Sequence, residues 1–318
     1  MPSRSKPVPF NPATDIPSLT DKIILVTGSN VGLGKQAVLE FARHNPRLIW
    51  LAARSVTKAN AAVAEIKQHV PNAPIQVLEL DLASLASVKK AAATVLATSP
   101  RLDILMLNAG IMFTAPDLTA DGYELQFGTN HMGHALLAKL LLPLLTKTAS
   151  GTPSVPKADV RVISLSSDLH ARAAKPGIDY DTLHGRGEAL GPLGCYYQSK
   201  LANVLWARQL AREYPQLTVA AIHPGVAQTQ LMGRASGVPA VVRGLGRVMA
   251  GLGLNKTVED AVRNQLWASV ATKGVESGEY YVPIGVAGKT SAFGVDDALA
   301  KKLWDWTAKE LQGYVVEA

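Results

Sequence analysis

The stretch "KIILVTGSNVGLGKQAVLEFARHNP", residues 22–46, decides how the chain folds. An apolar run, Ile23 to Val26, meets Thr27 and Gly28, and Gly32 and Gly34 then lead into a segment with helical spacing of apolar residues. A glycine-rich turn between strand and helix holds phosphate, because the first backbone N–H groups of the helix point at the anion. Two templates compete for it. A P-loop needs glycine first, then Gly-Lys followed by a Ser or Thr hydroxyl for magnesium. Aligned on Gly34-Lys35, its first place is Ser29 and its last is Gln36, so the metal ligand is missing. A dinucleotide fingerprint needs glycines where the backbone turns, nears the pyrophosphate and packs under the sheet. Gly28, Gly32 and Gly34 meet those needs at slightly altered spacing. A helix-packing turn would carry similar glycines, so the residues around this stretch must decide.

Outward from it, apolar runs recur at 22–27, 48–53, 75–80, 103–107, 160–165 and 217–222. Their nearly continuous apolar character is that of strands covered on both faces. Helix-patterned segments lie between them, near 34–44, 57–69, 84–98, 130–147 and 196–214. Such alternation predicts an α/β fold with a doubly wound parallel sheet. A helix near 259–271, a last strand in "GEYYVP" and a terminal helix in "DDALAKKLWDWTAKEL" complete the order. No repeat and no second composition regime is seen, so residues 21–318 read as one domain behind a proline-rich arm at 1–20. Two irregular regions stand out, 168–195 and a Gly-rich apolar stretch at 226–255.

The 318 residues are 47% hydrophobic and 18% charged, enough apolar content for a full core. A single cysteine, Cys195, excludes an internal disulfide framework. The N-terminal residues lack an apolar signal region, and the longest apolar block, "ALLAKLLLPLL", is interrupted by Lys139 and Pro143, so a cytoplasmic location is expected. The net charge of +7 is scattered, its longest basic runs being pairs such as Lys89-Lys90. That argues against nucleic acid and suits an anionic cofactor.

After the second strand comes "LAARS". Dinucleotide folds commonly end this strand with an acidic residue for the ribose hydroxyls of NAD, but here Ala52 and Ala53 are followed by Arg54. A surface arginine is the plain alternative; at this position a guanidinium suits a 2′-phosphate, which favours NADP over NAD. Farther on, Tyr196 and Lys200 stand one helical turn apart, on one face. A free phenol titrates near 10, so a neighbouring ammonium is expected to lower its pKa and permit proton exchange with a carbonyl or alcohol. Tyr197 lacks such a lysine. Upstream, Ser166 and Ser167 end a strand at the edge where ligands bind in such folds. The "SSDLH" run does not make a hydrolase triad, because adjacent residues point apart and no G-x-S-x-G elbow exists.

Together these motifs resemble the short-chain dehydrogenase/reductase family. The signature is Thr27-Gly28-x-x-x-Gly32-x-Gly34, then Asn108-Ala109-Gly110, Asn130, Ser167 and Tyr196-x-x-x-Lys200, with "HPG" at 223–225 and Thr229. The resemblance implies a Rossmann-type domain with an irregular substrate lid at about 226–255. It makes Tyr196 the proton donor or acceptor, with Lys200 tuning it and holding the nicotinamide ribose. Ser167, the second serine of the pair, orients the substrate oxygen, and Asn130 holds a relay water. The implied cofactor contacts are Thr27, Gly28, Asn30, Gly32, Leu33, Gly34, Arg54, Asp81, Leu82, Asn108, Ala109, Gly110, Tyr196, Lys200, Pro224, Gly225, Val226 and Thr229. The implied reaction is NADP(H)-dependent hydride transfer to a ketone or aldehyde, or from the alcohol. Reduction of an imine or activated C=C bond, or a dinucleotide sensor with vestigial chemistry, fits the same residues.

The long 168–195 connection resembles the retinol-dehydrogenase-like and fungal reductase branch, and the apolar 226–255 stretch suggests a bulky lipophilic substrate. Arg243 and Arg247 on one face of that stretch suit either membrane contact or, as we read them, a solvated lid face. The helix "NHMGHALLAKLLLPLL" is apolar nearly all round, which anticipates a homodimer through it, or a monomer with the helix covered by a loop. His131 and His134 lack a third ligand, so no metal is expected.

Overall fold

The computed structural model describes residues 6–151, 157–225, 235–237 and 256–315. Seven parallel strands form one sheet in the order β3-β2-β1-β4-β5-β6-β7. They are β1 Ile23–Thr27, β2 Leu48–Ala53, β3 Ile75–Glu79, β4 Ile104–Leu107, β5 Arg161–Leu165, β6 Thr218–Ile222 and β7 Tyr280–Tyr281. Strands β1, β4 and β5 are buried at every position, which is why their sequences are continuously apolar rather than alternating. The order reverses between β1 and β4, and it is at the C-terminal ends of the strands flanking such a switch point that doubly wound sheets bind ligands.

The main helices are α1 Gly32–Ala42, α2 Val56–His69, α3 Leu85–Thr98, α4 Gly133–Ser150, α5 Gly191–Glu213, α6 Arg263–Val270 and α7 Asp297–Glu310. Ser55, Ser84 and Asp296 cap α2, α3 and α7 with side-chain oxygens that accept backbone N–H groups. Helices α3, α4 and α5 cover one face of the sheet and α1, α2 and α6 the other. Phe10, Ile16 and Leu19 are buried in the second face, and the Val8 N–H bonds the Ile284 carbonyl. The sheet is therefore a doubly wound Rossmann-type layer, as the alternation of patterns implied.

Three local features depart from the expected element ends. The chain enters α4 through a π-helical turn, Gly128–Met132, whose wider coil carries Asn130. Helix α5 starts at Gly191, ahead of the expected 196, with Pro192 in its first turn, where a missing N–H costs nothing. The helix expected near 259–271 divides into Val258–Ala261 and α6.

The outer side of α4 is closed by the chain itself. Helix α7 packs along α5, Thr307 bonds His131, and Lys139 donates to the Leu311 carbonyl. Ala300, Leu303 and Leu311 join the same apolar core as α4 and α5. Only Lys139, Pro143, Thr146, Lys147 and Ser150 of α4 escape burial. No helix among the described residues is long and apolar enough to cross a membrane.

Candidate active site

Thr27 ends β1 fully buried, and its position sets the glycine turn. Its Oγ1 accepts the Ala109 N–H at 2.9 Å and lies 2.9 Å from His134 Nε2. His134 Nδ1 is 3.0 Å from the Asn130 carbonyl, which can only accept, so that nitrogen carries the proton. Burial holds the ring neutral, with its pKa lowered to about 4, so Nε2 accepts from Thr27. One buried imidazole thus joins the glycine turn to the π-helical turn.

The three glycines do distinct jobs. Gly28 (φ +62°) and Gly32 (φ +55°) take the left-handed backbone that turns the chain, and a Cβ at Gly28 would meet Ala109 at 2.8 Å. A Cβ at Gly34 would lie 2.5 Å from Asn108 Nδ2 and 2.6 Å from the Gly28 carbonyl. Asn108 is a staple here, donating to the Thr27 carbonyl at 2.7 Å. Helix α1 begins at Gly32 after Val31, which provides no side-chain cap, leaving its first N–H groups open to an anion. Leu33 packs toward the α1 face of the core, and Asn30 stands beside it in the turn, half-buried. The donor set and the cradle fit the pyrophosphate of a dinucleotide.

Arg54 is exposed directly after β2, on the same edge. Asp81 accepts the Ala83 N–H at 3.0 Å, and Leu82, mostly buried, packs on Gly133, where a Cβ would meet the Leu82 carbonyl. Pro224 and Gly225 (φ +92°) follow β6, and Gly225 lies against Lys256. Val226, Thr229 and the lid expected at 226–255 lie outside the described residues, apart from 235–237.

The residues expected to react converge at the ends of β4 and β5. Ser166 gives its hydroxyl proton to the Lys200 carbonyl at 2.7 Å, so it faces the helix. Ser167 faces the other way, hydrogen bonded to Tyr196. Lys200 Nζ lies 5.8 Å from the Tyr196 ring centroid and donates to the Leu165 carbonyl at 3.0 Å. Gly110 makes room, since a Cβ there would stand 3.3 Å from both Lys200 Nζ and Asn130 Oδ1. Asn130 is fully buried. Its Oδ1 accepts the Ile111 N–H at 2.8 Å, and its Nδ2 donates to the Ile111 carbonyl at 3.0 Å and Ser199 Oγ at 2.9 Å.

The electrostatics correct one expectation. Tyr196 is not more acidic than a free phenol: burial raises its pKa, the Ser167 hydrogen bond only partly opposes this, and the Asp168 charge adds to it. The i, i+4 spacing puts both groups on one face, but the ammonium reaches past the phenol to β5. Burial in turn lowers the Lys200 pKa to about 8.

Several neighbours had no legible signal. Phe113 holds a left-handed backbone (φ +52°), a conformation costing about 1–3 kcal/mol for a side chain of this size. Its N–H bonds Gln126 Oε1 at 2.7 Å, and its ring meets Tyr196 edge-on at 5.1 Å. Phe113, Tyr196 and Ala235, with Met112, Leu169 and Tyr197, make an apolar cluster at the mouth of the site. His170 receives the Ser291 N–H at Nε2 and therefore donates from Nδ1 to the Ser167 carbonyl at 2.6 Å, fixing the turn after Ser167. His131 and His134, named in the metal question, each bond a hydroxyl.

Comparison with known proteins places this geometry among relatives. The profile of the short chain dehydrogenase family matches residues 22–153. The short-chain dehydrogenase/reductase drtF of Aspergillus calidoustus is 36% identical over 308 residues, 93% of this chain and 96% of its own. Retinol dehydrogenase 13 of Homo sapiens is 37% identical over 301 residues, 92% of this chain and 85% of its own. Among solved structures, a protein of Mycobacterium paratuberculosis superposes with a TM-score of 0.71 at 27% identity, covering 96% of this chain and 98% of its own.

The glycine cradle yields a direct expectation. Gly34→Ala should weaken dinucleotide binding at least tenfold by calorimetry, because its methyl must displace Asn108 or the Gly28 carbonyl. Unchanged affinity would show that the turn does not carry the pyrophosphate.

Proposed function

The chain belongs to the short-chain dehydrogenase/reductase family, and within it we propose an NADPH-dependent carbonyl reductase, reversible as an alcohol dehydrogenase, acting on a bulky apolar substrate. The observation that carries this reading is the buried Tyr196 phenol, hydrogen bonded to Ser167 at the end of β5 and flanked by Lys200. Hydride exchange with the substrate carbon is the chemistry a nicotinamide dinucleotide supplies when bound. The rest falls to this chain. Tyr196 and Ser167 hold the substrate oxygen, and Tyr196 gives up its proton as negative charge gathers there. The Lys200 ammonium, in a water-poor site, offsets the charge left on the phenolate. Asn130 acts by position, since its amide is committed to Ile111 and Ser199 beside Lys200.

Substrate class rests on the cluster of Phe113, Met112, Leu169, Tyr197 and Ala235 around the phenol, which offers apolar contact and few donors. A relative named for retinol, an apolar alcohol, supports the same reading. The preference for NADP rests on Arg54 standing where an acidic residue would serve NAD. The contacts of α7 and Leu311 with His131 and Lys139 support reading the α4 face as closed within one chain.

Four outcomes are expected. Tyr196→Phe should lower turnover about a thousandfold while cofactor affinity changes little by fluorescence titration; full activity would reject Tyr196 as the acid. Arg54→Ala should raise KM for NADPH far more than for NADH in steady-state assays, whereas equal effects would move the 2′-phosphate elsewhere. The pH profile of carbonyl reduction follows from the signs. Tyr196, raised by burial, keeps its proton through neutral pH, and Lys200 keeps its charge only below about 8. Hence kcat/KM for reduction should hold at neutral pH and fall as pH rises through about 8; a profile rising there would contradict it. Sedimentation velocity should give one species near 33.7 kDa, and a dimer cross-linked through α4 would refute the closed face.

A further inference from the structure

Two buried primary amides, Gln126 and Asn130, reach from the helical entry to α4 back to the loop after β4. Asn130 holds Ile111, and Gln126, only 1% exposed, holds Phe113 two residues farther on. The partners dictate the residue type. Gln126 Oε1 accepts the Phe113 N–H at 2.7 Å, and its Nε2 donates to the Pro192 carbonyl at 2.9 Å. A side chain of this reach must accept from one partner and donate to the other, which an amide does and a carboxylate or hydrocarbon does not. Glu124 fixes the backbone beneath it, its carboxylate accepting the Gln126 and Phe127 N–H groups. Gln126 thus ties the loop after β4 to the start of α5, the helix that carries Tyr196.

What Gln126 holds is a strained aromatic wall. Phe113 keeps φ +52°, a backbone that bulky side chains rarely adopt, and its carbonyl accepts the Gly237 N–H at 2.8 Å. A Cβ at Gly237 would strike the Thr114 carbonyl, and nearby Ala235 is fully buried in the cluster with Phe113 and Tyr196. The Phe113 ring stands edge-on to both Tyr196 and Tyr197, with centroids 5.1 and 6.4 Å away. Ser167 meets the phenol at its hydroxyl, and Phe113 meets it at its ring. Backbone strain of this kind persists where the surroundings enforce it, and here both the N–H and the carbonyl of the strained residue are held.

A ketone whose oxygen is held by Tyr196 and Ser167 keeps one freedom: its two substituents can exchange sides, which turns the opposite face of the carbonyl carbon to the hydride. We propose that Phe113, positioned by Gln126, removes that freedom and so decides which enantiomer of the alcohol is formed from an unsymmetrical ketone. The proposal rests on the reductase reading above and adds stereochemical control to it. The chemistry is the same for either face, the carbonyl carbon gaining hydride and its oxygen gaining the Tyr196 proton. A ring free to swing aside would admit both orientations of the ketone. A ring fixed through its own N–H and carbonyl rejects the one that sets the larger substituent against it, and selectivity then comes from that clash.

Two variants test the wall and its support. Phe113→Gly removes the ring and suits the left-handed backbone, so the fold is retained. Gln126→Met keeps the length of the side chain but takes away the acceptor for the Phe113 N–H. Both, and the double variant, are assayed with NADPH and the aryl methyl ketone that the unmodified protein reduces fastest, the two alcohols being separated by chiral chromatography. The unmodified protein should give one enantiomer in large excess. Phe113→Gly should cut the ratio of enantiomers about tenfold, the scale of one apolar pocket contact, while NADPH affinity by fluorescence titration holds. Gln126→Met should move the ratio the same way, and the double variant no further than Phe113→Gly alone, because one residue acts through the other. An even mixture from the unmodified protein, an unmoved ratio with Phe113→Gly, or a Gln126→Met that loses thermal stability without moving the ratio would overturn the proposal and leave an active oxidoreductase. So would effects that add in the double variant. If Gln126→Met does not fold, the ratio from Phe113→Gly decides by the same criterion. An unmodified protein that reduces no apolar ketone would remove the functional reading, and the proposal with it.

Discussion

A buried ammonium without a carboxylate partner is the constraint around which this site is organised. Lys200 is almost wholly enclosed, and no acidic side chain lies within ion-pair distance of it among the described residues. Its Nζ is held by the Leu165 carbonyl, the last of β5, which also accepts from Asn203. Burying a charge this way costs several kcal/mol, expressed in the lowered Lys200 pKa. The neighbouring residues make the arrangement possible. Gly110 leaves space for the ammonium, Ser166 ties the Lys200 backbone to β5, and Asn130 holds the loop after β4 through Ile111.

Tyr196 belongs to the same dry environment but responds in the opposite sense. Desolvation disfavours the charged form of each group, so the phenol keeps its proton and the ammonium tends to lose one. Their pKa values are driven apart, Tyr196 upward and Lys200 down to about 8, so the phenol is the group that keeps its proton. The acidifying effect anticipated from helical spacing is outweighed because burial exceeds the attraction at 5.8 Å, with the ammonium committed elsewhere. The phenol is confined further by Phe113, whose strained backbone is fixed by Gln126 and by the Gly237 N–H.

Helix α7 links the site to the rest of the domain. It lies along α5, which carries Tyr196 and Lys200, and reaches the π-helical turn through Thr307 and His131. Trp306 adds edge contacts to Phe127 and Tyr123. A terminal helix therefore braces both walls that carry Tyr196, Lys200 and Asn130.

Much of this was written in the chain. The apolar runs named the first six strands to within a residue or two; β1, β4 and β5, buried at every position, left the continuous signal of strands covered on both faces, while β3 lies at the sheet edge. Gly28, Gly32, Gly34, Asn108, Ser167, Tyr196 and Lys200 stood out because each occupies a place that few residue types can fill, and the fold brings them to one edge. Other features had no such mark. The π-helical turn around Asn130, the left-handed Phe113 and the approach of His223 to Asp168 join positions from separate elements, and nothing local in sequence records their distance. Burial itself decided the rest. Residue types and their spacing determined which groups share a face, but the ionisation of Tyr196 and Lys200 depends on how much water surrounds them, and only tertiary packing sets that.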